Sequence, residues 1–192
     1  MRGFILAGVM ALGLITASAS ATELAGVEIP SAIRAEGQGQ VWYLMGTAQV
    51  HRSFVPFYGL ALHGPTGASG EAQLSQGLTP LQITLVWYAS ELPKAQVQDH
   101  FRKLFEQVTT AETRSRVAPR LEKFIEMLPA AVRGEKVVFY YSPDAGTRVT
   151  LSDGTAANFA GIEFNRALIS MWLGPQADAE VREGLTGSAS GG

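Results

Sequence analysis

Three histidines are the side chains of this sequence best suited to metal binding or proton transfer. His51, His63 and His100 do not form an H-x-x-x-H or H-E-x-x-H pair. His51 and His63 are twelve residues apart on a predicted extended stretch, about 40 Å if the strand is unbroken, which is too far to share an ion. The chain has no cysteine, which removes disulfides, zinc–thiolate sites, iron–sulfur clusters and thiol nucleophiles. The sequence therefore predicts neither a metal site nor a cofactor.

An arginine and a tyrosine form the more promising pair. Arg52 and Tyr58 are six residues apart in a predicted strand, and an even offset places both side chains on one face. A guanidinium group at that place could pair with a ligand carboxylate, and His100 could exchange a proton near neutral pH. Three alternatives stay open: a solvated or salt-bridging Arg52, a surface His100, and a break or bulge at Pro56 that sends Arg52 to the opposite face.

Strands are predicted wherever apolar and aromatic residues alternate or cluster between turn signals. The predicted strands cover residues 26–29, 40–45, 48–62, 81–87, 136–141, 147–151 and 156–160. Residues 64–70 and the pair Asp153-Gly154 predict turns.

Helices are predicted where apolar residues recur at spacings of three and four. They cover residues 93–108, 117–128, 164–172 and 177–185, with Pro93 or Ser90 at the first start, Pro119 near the second start and Trp172 in the core. Strands followed by two helices, a hairpin and two more helices predict an α+β fold, in which helices cover one face of an antiparallel sheet.

The first 21 residues have the pattern of a secretory signal peptide. Arg2 precedes an apolar run of about a dozen residues, and Ala19-Ser20-Ala21 is the preferred cleavage site. The alternative is an uncleaved anchor helix, although the run is shorter than the roughly 20 residues that span a bilayer. We therefore predict a domain over residues 22–187, a flexible tail over 188–192, and a periplasmic or secreted location.

Composition excludes several classes of partner. The formal net charge is −2 and the sequence pI is about 5.9, so a nucleic acid is not expected as the main partner. No later segment is apolar and long enough to predict a membrane span. The oligomeric state is left open.

Several segments, taken in order, resemble the chalcone isomerase-like family, and within it a secreted bacterial branch. They are residues 26–30 (GVEIP), 54–62 (FVPFYGLAL), 121–128 (LEKFIEML), 161–168 (GIEFNRAL), 171–175 (MWLGP) and 184–187 (GLTG). The resemblance covers nearly all of the chain after residue 21. It implies an open-faced β-sandwich in which a large antiparallel sheet is covered by helices, with a ligand cleft between the two layers.

The enzymes of that family use a cation and hydroxyl donors to stabilise oxyanions. By resemblance, Tyr58 stands where they have a threonine, Gly46 where they have an arginine, and Pro93 and His100 where they have a tyrosine and an asparagine. Arg52 lies six residues nearer to the threonine position than the family's arginine does. Too few of the polar groups of the enzymes remain for the same reaction to be the first expectation.

Two functions are therefore predicted, in different classes. The first is a noncatalytic protein that binds an apolar anion, such as a fatty acid, as some relatives with this fold do. Arg52 would hold the carboxylate, and the candidate ligand-binding residues beside it are Tyr58, Phe54, Tyr43 and Trp87, each of which could equally be ordinary core. The second is an isomerase of chalcone isomerase type that uses Arg52, Tyr58 and His100 in a rearranged active site.

Overall fold

The computed structural model describes residues 22–36, 39–67 and 71–187, without the side chains of residues 71 and 72. The predicted signal peptide (1–21) and tail (188–192) lie outside the described residues. The strands in the described part are β1 (Thr22–Leu24), β2 (Val27–Ile29), β3 (Ala32–Arg34), β4 (Val41–Arg52), β5 (Val55–Gly64), β6 (Leu81–Trp87), β7 (Glu91–Leu92), β8 (Ala131–Val132), β9 (Lys136–Ser142), β10 (Gly146–Leu151) and β11 (Ala156–Phe159).

Helices connect or follow these strands. They are α1 (Glu71–Ser75), α2 (Lys94–Val108), α3 (Ala111–Met127), α4 (Ile162–Leu173) and α5 (Ala179–Thr186). Pro93, one of the two predicted starts, is the N-cap residue of α2 and fits there because proline is tolerated where a helix begins. The prediction for the second helix was wrong at its start: α3 begins at Ala111, capped by the Thr110 side chain, and continues through Pro119.

Seven strands form one antiparallel sheet in the order β11-β10-β9-β6-β5-β4-β3. Neighbouring strands of this sheet follow one another along the chain, except that the connection from β5 to β6 contains α1 and the connection from β6 to β9 contains α2 and α3. The helices pack on one face of this sheet, where Leu60, Leu62 and Leu85 enter the main core. The predicted α+β fold, an antiparallel sheet covered by helices, is confirmed.

The opposite face of the sheet is covered in part by the β1–β2 hairpin. Ala61 and Val86 alternate with the residues of the main core and contact Leu24 and Ile29 of this hairpin in a second, smaller cluster. The side chains of β6 alternate between the two faces of the sheet, as predicted, and apolar residues cover this strand on both faces.

The strand predicted over residues 48–62 was wrong. The chain turns back at Ser53 and Phe54, and Arg52 of β4 pairs with Val55 of β5. Both turn residues have positive φ angles, 49° and 68°, as a two-residue hairpin loop requires. The prediction missed this turn because it contains neither glycine nor asparagine and lies inside a stretch rich in strand-forming valine, phenylalanine and tyrosine. Arg52 and Tyr58 consequently lie on neighbouring strands, and the parity argument does not apply to them.

Two glycines allow α5 to approach β4 closely. A Cβ atom at Gly46 would overlap the carbonyl oxygen of Gly184, and one at Gly184 would lie 2.8 Å from the carbonyl oxygen of Thr47. The Asp178 side chain caps α5 by accepting hydrogen bonds from the backbone N–H groups of Glu180 and Val181. This contact closes the edge of the helical layer over the part of β4 that precedes the turn.

Candidate functional site

The hydroxyl group of Tyr58 lies where β5, α2 and α4 meet. Trp172 Nε1 donates a hydrogen bond to this oxygen at 3.1 Å, and His100 Nε2 lies 3.3 Å from it. Tyr58 is only 1% exposed. A strand and two helices that are far apart in sequence thus converge on one phenolic oxygen.

Hydrogen-bonding rules assign the protons of this group. An indole nitrogen can only donate, so the Tyr58 oxygen accepts from Trp172. The phenolic proton is then satisfied if it is donated to His100 Nε2, which places the imidazole proton on Nδ1. Burial raises the pKa of Tyr58 well above its ordinary value, while the Trp172 hydrogen bond lowers it by less. Tyr58 is therefore a neutral hydrogen-bonding group at physiological pH.

His100 is held neutral by its surroundings. Burial lowers the pKa of the imidazole to about 4, with further lowering by the positive charges of Arg52 and Lys103 and an opposing effect of Asp99. The imidazole ring also packs edge-to-face against the Phe57 ring, with 4.9 Å between ring centroids. The sequence left open that His100 is an ordinary surface histidine, but its side chain is half-buried and desolvated.

Arg52 stands at the end of β4, immediately before the turn. Its guanidinium carbon lies 5.9 Å from the centroid of the Phe57 ring, at cation–π distance. The nearby Asp99 is paired instead with Lys103, with 2.7 Å between Oδ2 and Nζ. In the part of the chain that the structure describes, Arg52 forms no ion pair.

Two adjoining cavities meet at His51 and His100, which line both. The outer cavity measures about 280 Å³ and is lined by Arg52, Phe57, Asp99 and Lys103 besides the two histidines and Gln96. The inner cavity measures about 210 Å³ and lies between β4, β5 and helices α2, α4 and α5. Its apolar walls are Val50, Leu104, Met171, Trp172 and Val181, and polar side chains such as Gln107 and Glu180 also line it.

The three residues proposed for catalysis therefore lie together, although not as predicted. Arg52 lines the outer cavity, Tyr58 lines the inner one, and His100 lines both and contacts the Tyr58 hydroxyl. The hairpin between β4 and β5 achieves this proximity by placing Arg52 and Tyr58 on adjacent strands.

The other proposed wall residues lie elsewhere. Phe54 is 99% exposed at the turn, and Tyr43, 52% exposed, pairs with Gly64 at the opposite end of the β4–β5 ladder. Trp87 is buried and packs edge-on against Phe57 and Tyr58, behind the cleft. None of these three side chains lines either cavity.

Sequence reasoning missed several residues of the cleft. His51 was weighed only as a metal ligand, and Trp172 only as a core residue; Trp172 is buried, as predicted, yet it also lines the inner cavity. Val181 of α5 closes the far wall. Since its place depends on the Gly46–Gly184 approach, no local pattern could have identified it.

The described residues offer neither a metal-binding cluster nor a helix that could span a membrane. Among the described residues, no group of three histidine or acidic side chains is arranged to hold a metal ion. Nor does any helix within those residues have the length and apolarity needed to cross a membrane. The remaining histidine, His63, is buried on the other side of the sheet, with Nε2 2.8 Å from the carbonyl oxygen of Pro30.

The sheet, the helical layer and the cavities between them define an α+β protein with a cleft of ligand size. The chain belongs to the chalcone isomerase-like family, whose sequence pattern matches residues 21–187. A solved structure similar to this one is the fatty-acid binding protein of Arabidopsis thaliana, with a TM-score of 0.67 and 14% sequence identity over 86% of this chain and 94% of that one. The search of curated proteins found no match.

Proposed function

We propose that this protein binds an apolar anion, such as a fatty acid, in the cleft between the sheet and the helices, without catalysing a reaction. One observation carries the proposal: the guanidinium group of Arg52, without an ion pair among the described residues, lines a cavity that adjoins a second one lined in part by apolar side chains. A carboxylate is the natural partner for the first and an alkyl chain for the second.

The dimensions support a ligand that occupies both cavities. Small-molecule sites commonly measure about 300 to 1,000 Å³, and each cavity alone is smaller than that. A carboxylate beside Arg52, with its chain passing His51 and His100 toward Leu104, Met171 and Val181, would use the combined space. The neutral state of His100 favours this arrangement because an alkyl chain passes an uncharged ring at lower cost than a cation.

The family and a solved structure of similar fold support a ligand of this class. The chain belongs to the chalcone isomerase-like family, and the Arabidopsis protein of similar fold is named as a fatty-acid binding protein. At 14% identity this similarity concerns the fold, so the ligand class proposed here depends on the cleft of this chain.

Titration with a long-chain fatty acid tests the proposal. Replacing Arg52 by alanine removes a charge-assisted hydrogen bond and should weaken binding by about 1.5–3 kcal/mol. Lysine should restore part of the loss, as a point charge without bidentate geometry. Arg34→Ala is the matched control, because Arg34 is an exposed arginine on edge strand β3 and lines neither cavity. Equal affinity of Arg52→Ala and the unmodified protein would contradict the proposed anchor.

The second candidate function is an isomerase of chalcone isomerase type that uses Arg52, Tyr58 and His100. The hydrogen bond between Tyr58 and His100 favours it, since the pair could relay a proton to an enolate. Against it, the Tyr58 oxygen is buried and is already engaged by Trp172 and His100. If the protein accelerates the loss of the chalcone absorbance band and Tyr58→Phe abolishes this acceleration, the isomerase function is supported in place of the binding function. We expect no loss above the uncatalysed rate.

We further propose that the protein belongs to a secreted bacterial branch and is exported by the signal peptide predicted at residues 1–21. The mature chain would then begin at Thr22, the first residue of β1. Mass measurement of the protein exported by its own host tests this start. An intact mass that includes residues 1–21 would contradict it.

A further inference from the structure

The turn between β4 and β5 presents two apolar side chains to solvent. Phe54 is 99% exposed and the adjacent Val55 is 64% exposed. We call Ser53, Phe54 and Val55 the hairpin tip. Burial in the core explains neither apolar side chain, because both point away from it.

The backbone of the hairpin tip is strained. A two-residue loop with positive φ at both positions favours glycine or asparagine, whereas Ser53 and Phe54 occupy it with φ of 49° and 68°. The β1–β2 hairpin contains the same kind of loop at Ala25 and Gly26, with a glycine where the hairpin tip has phenylalanine. A bulky aromatic residue at a position that suits glycine points to a role other than stability.

The hairpin tip adjoins the mouth of the outer cavity. Arg52 immediately precedes it and lines that cavity without an ion pair among the described residues, whereas Lys103 on the same wall is paired with Asp99. An unpaired positive side chain beside a protruding aromatic residue is a combination that favours binding to the surface of an anionic bilayer. A tip of two apolar side chains is also far smaller than the roughly 800 Å² that each partner of a stable protein complex buries.

We propose that the hairpin tip docks this protein on an anionic lipid surface, with Phe54 and Val55 entering the interface and Arg52 facing lipid phosphates. The docked protein presents the outer cavity to the bilayer. In that orientation a fatty acid could pass between membrane and cleft, a consequence that rests on the proposed function, whereas the docking itself does not.

A single fluorescent label tests the docking directly. The chain has no cysteine, so Ser53→Cys can carry one environment-sensitive fluorophore beside Phe54. Leu78→Cys is the matched control, since Leu78 is 59% exposed and precedes β6 at the opposite end of the sheet. Both are titrated with vesicles of phosphatidylcholine and phosphatidylglycerol that contain no free fatty acid.

We expect the label at residue 53 to brighten with vesicles, to be quenched by lipids that carry a quencher in the upper acyl chain, and to respond less at high salt. The label at residue 78 should stay unchanged. Adding Phe54→Ser to the Ser53→Cys protein should weaken the response about tenfold, because a large apolar side chain no longer enters the interface. Equal responses at residues 53 and 78, no response at 53, or no effect of Phe54→Ser would overturn the proposal. A label at 53 that responds to protein concentration without vesicles would also overturn it, in favour of self-association.

A second variant separates docking from folding. Ser53→Asn/Phe54→Gly supplies the residues that this loop favours, so it should melt at a higher temperature than the unmodified protein and yet sediment poorly with the same vesicles. Vesicle binding that survives this double change would contradict the inference. Neither Ser53 nor Phe54 lines either cavity of the cleft, so fatty-acid binding measured in solution should be retained in this variant. If the unmodified protein binds no fatty acid in solution, the proposed function alone is refuted.

Discussion

Replacing Tyr58 by phenylalanine removes a single oxygen atom from the cleft, and the structure defines what that oxygen holds. The indole N–H of Trp172, a residue with 1% exposure, loses its acceptor. A buried donor left without a partner costs about 1–3 kcal/mol of the free energy of unfolding. His100 also loses a partner, but it is only half-buried and lines both cavities, where water can replace the hydroxyl. We therefore expect Tyr58→Phe to lower the free energy of unfolding by about 1–3 kcal/mol.

Urea unfolding monitored by circular dichroism measures this loss. Tyr43→Phe is the matched control, since Tyr43 is half exposed and lines neither cavity; its change should stay within about 0.5 kcal/mol. In the Trp172→Phe background the indole donor is absent, so Tyr58→Phe should cost about 1 kcal/mol less than it does alone. A Tyr58→Phe protein as stable as the Tyr43→Phe control would refute the assignment of Tyr58 as a buried acceptor.

Two further changes test the site and its support. Burial lowers the pKa of His100 to about 4, whereas an unfolded histidine titrates near 6.5. The stability that neutral His100 contributes should therefore be present above pH 6.5 and be lost as the pH falls toward 4. NMR titration of the imidazole checks the pKa, and the pH dependence of stability should flatten in His100→Gln. Gly46→Ala should lower the free energy of unfolding by about 1–3 kcal/mol and weaken ligand binding, because the added methyl group displaces α5 and with it Val181. Thermal melting and fatty-acid titration measure the two effects. A variant with unchanged stability and affinity would contradict the packing of α5 on β4.

The sequence predicted those parts of the fold that depend on local pattern. The alternation in β6 and the apolar stripes of α2 and α4 were sufficient, because each element packs apolar residues at regular spacing against the main core. The β4–β5 turn was missed because Ser53 and Phe54 carry none of the usual signals for a turn with positive φ.

Sequence reasoning named three residues that the structure brings together, and it missed the residues that wall the cleft. Arg52, Tyr58 and His100 do lie together, yet Arg52 reaches the cleft through a hairpin and not through strand parity. Trp172 and Val181 complete the inner cavity through contacts between elements that are distant in sequence. Such contacts follow from the packing of whole elements, which a single sequence does not specify.

The most direct test of the central claim is native mass spectrometry of the protein as its host exports it. The proposed function predicts a fraction of molecules that carry one additional mass equal to that of a fatty acid, with this fraction strongly reduced in Arg52→Ala and retained in Arg34→Ala. An additional mass that persists equally in Arg52→Ala, or a protein that carries no such mass even after incubation with fatty acid, would contradict the claim that Arg52 anchors an apolar anion in this cleft.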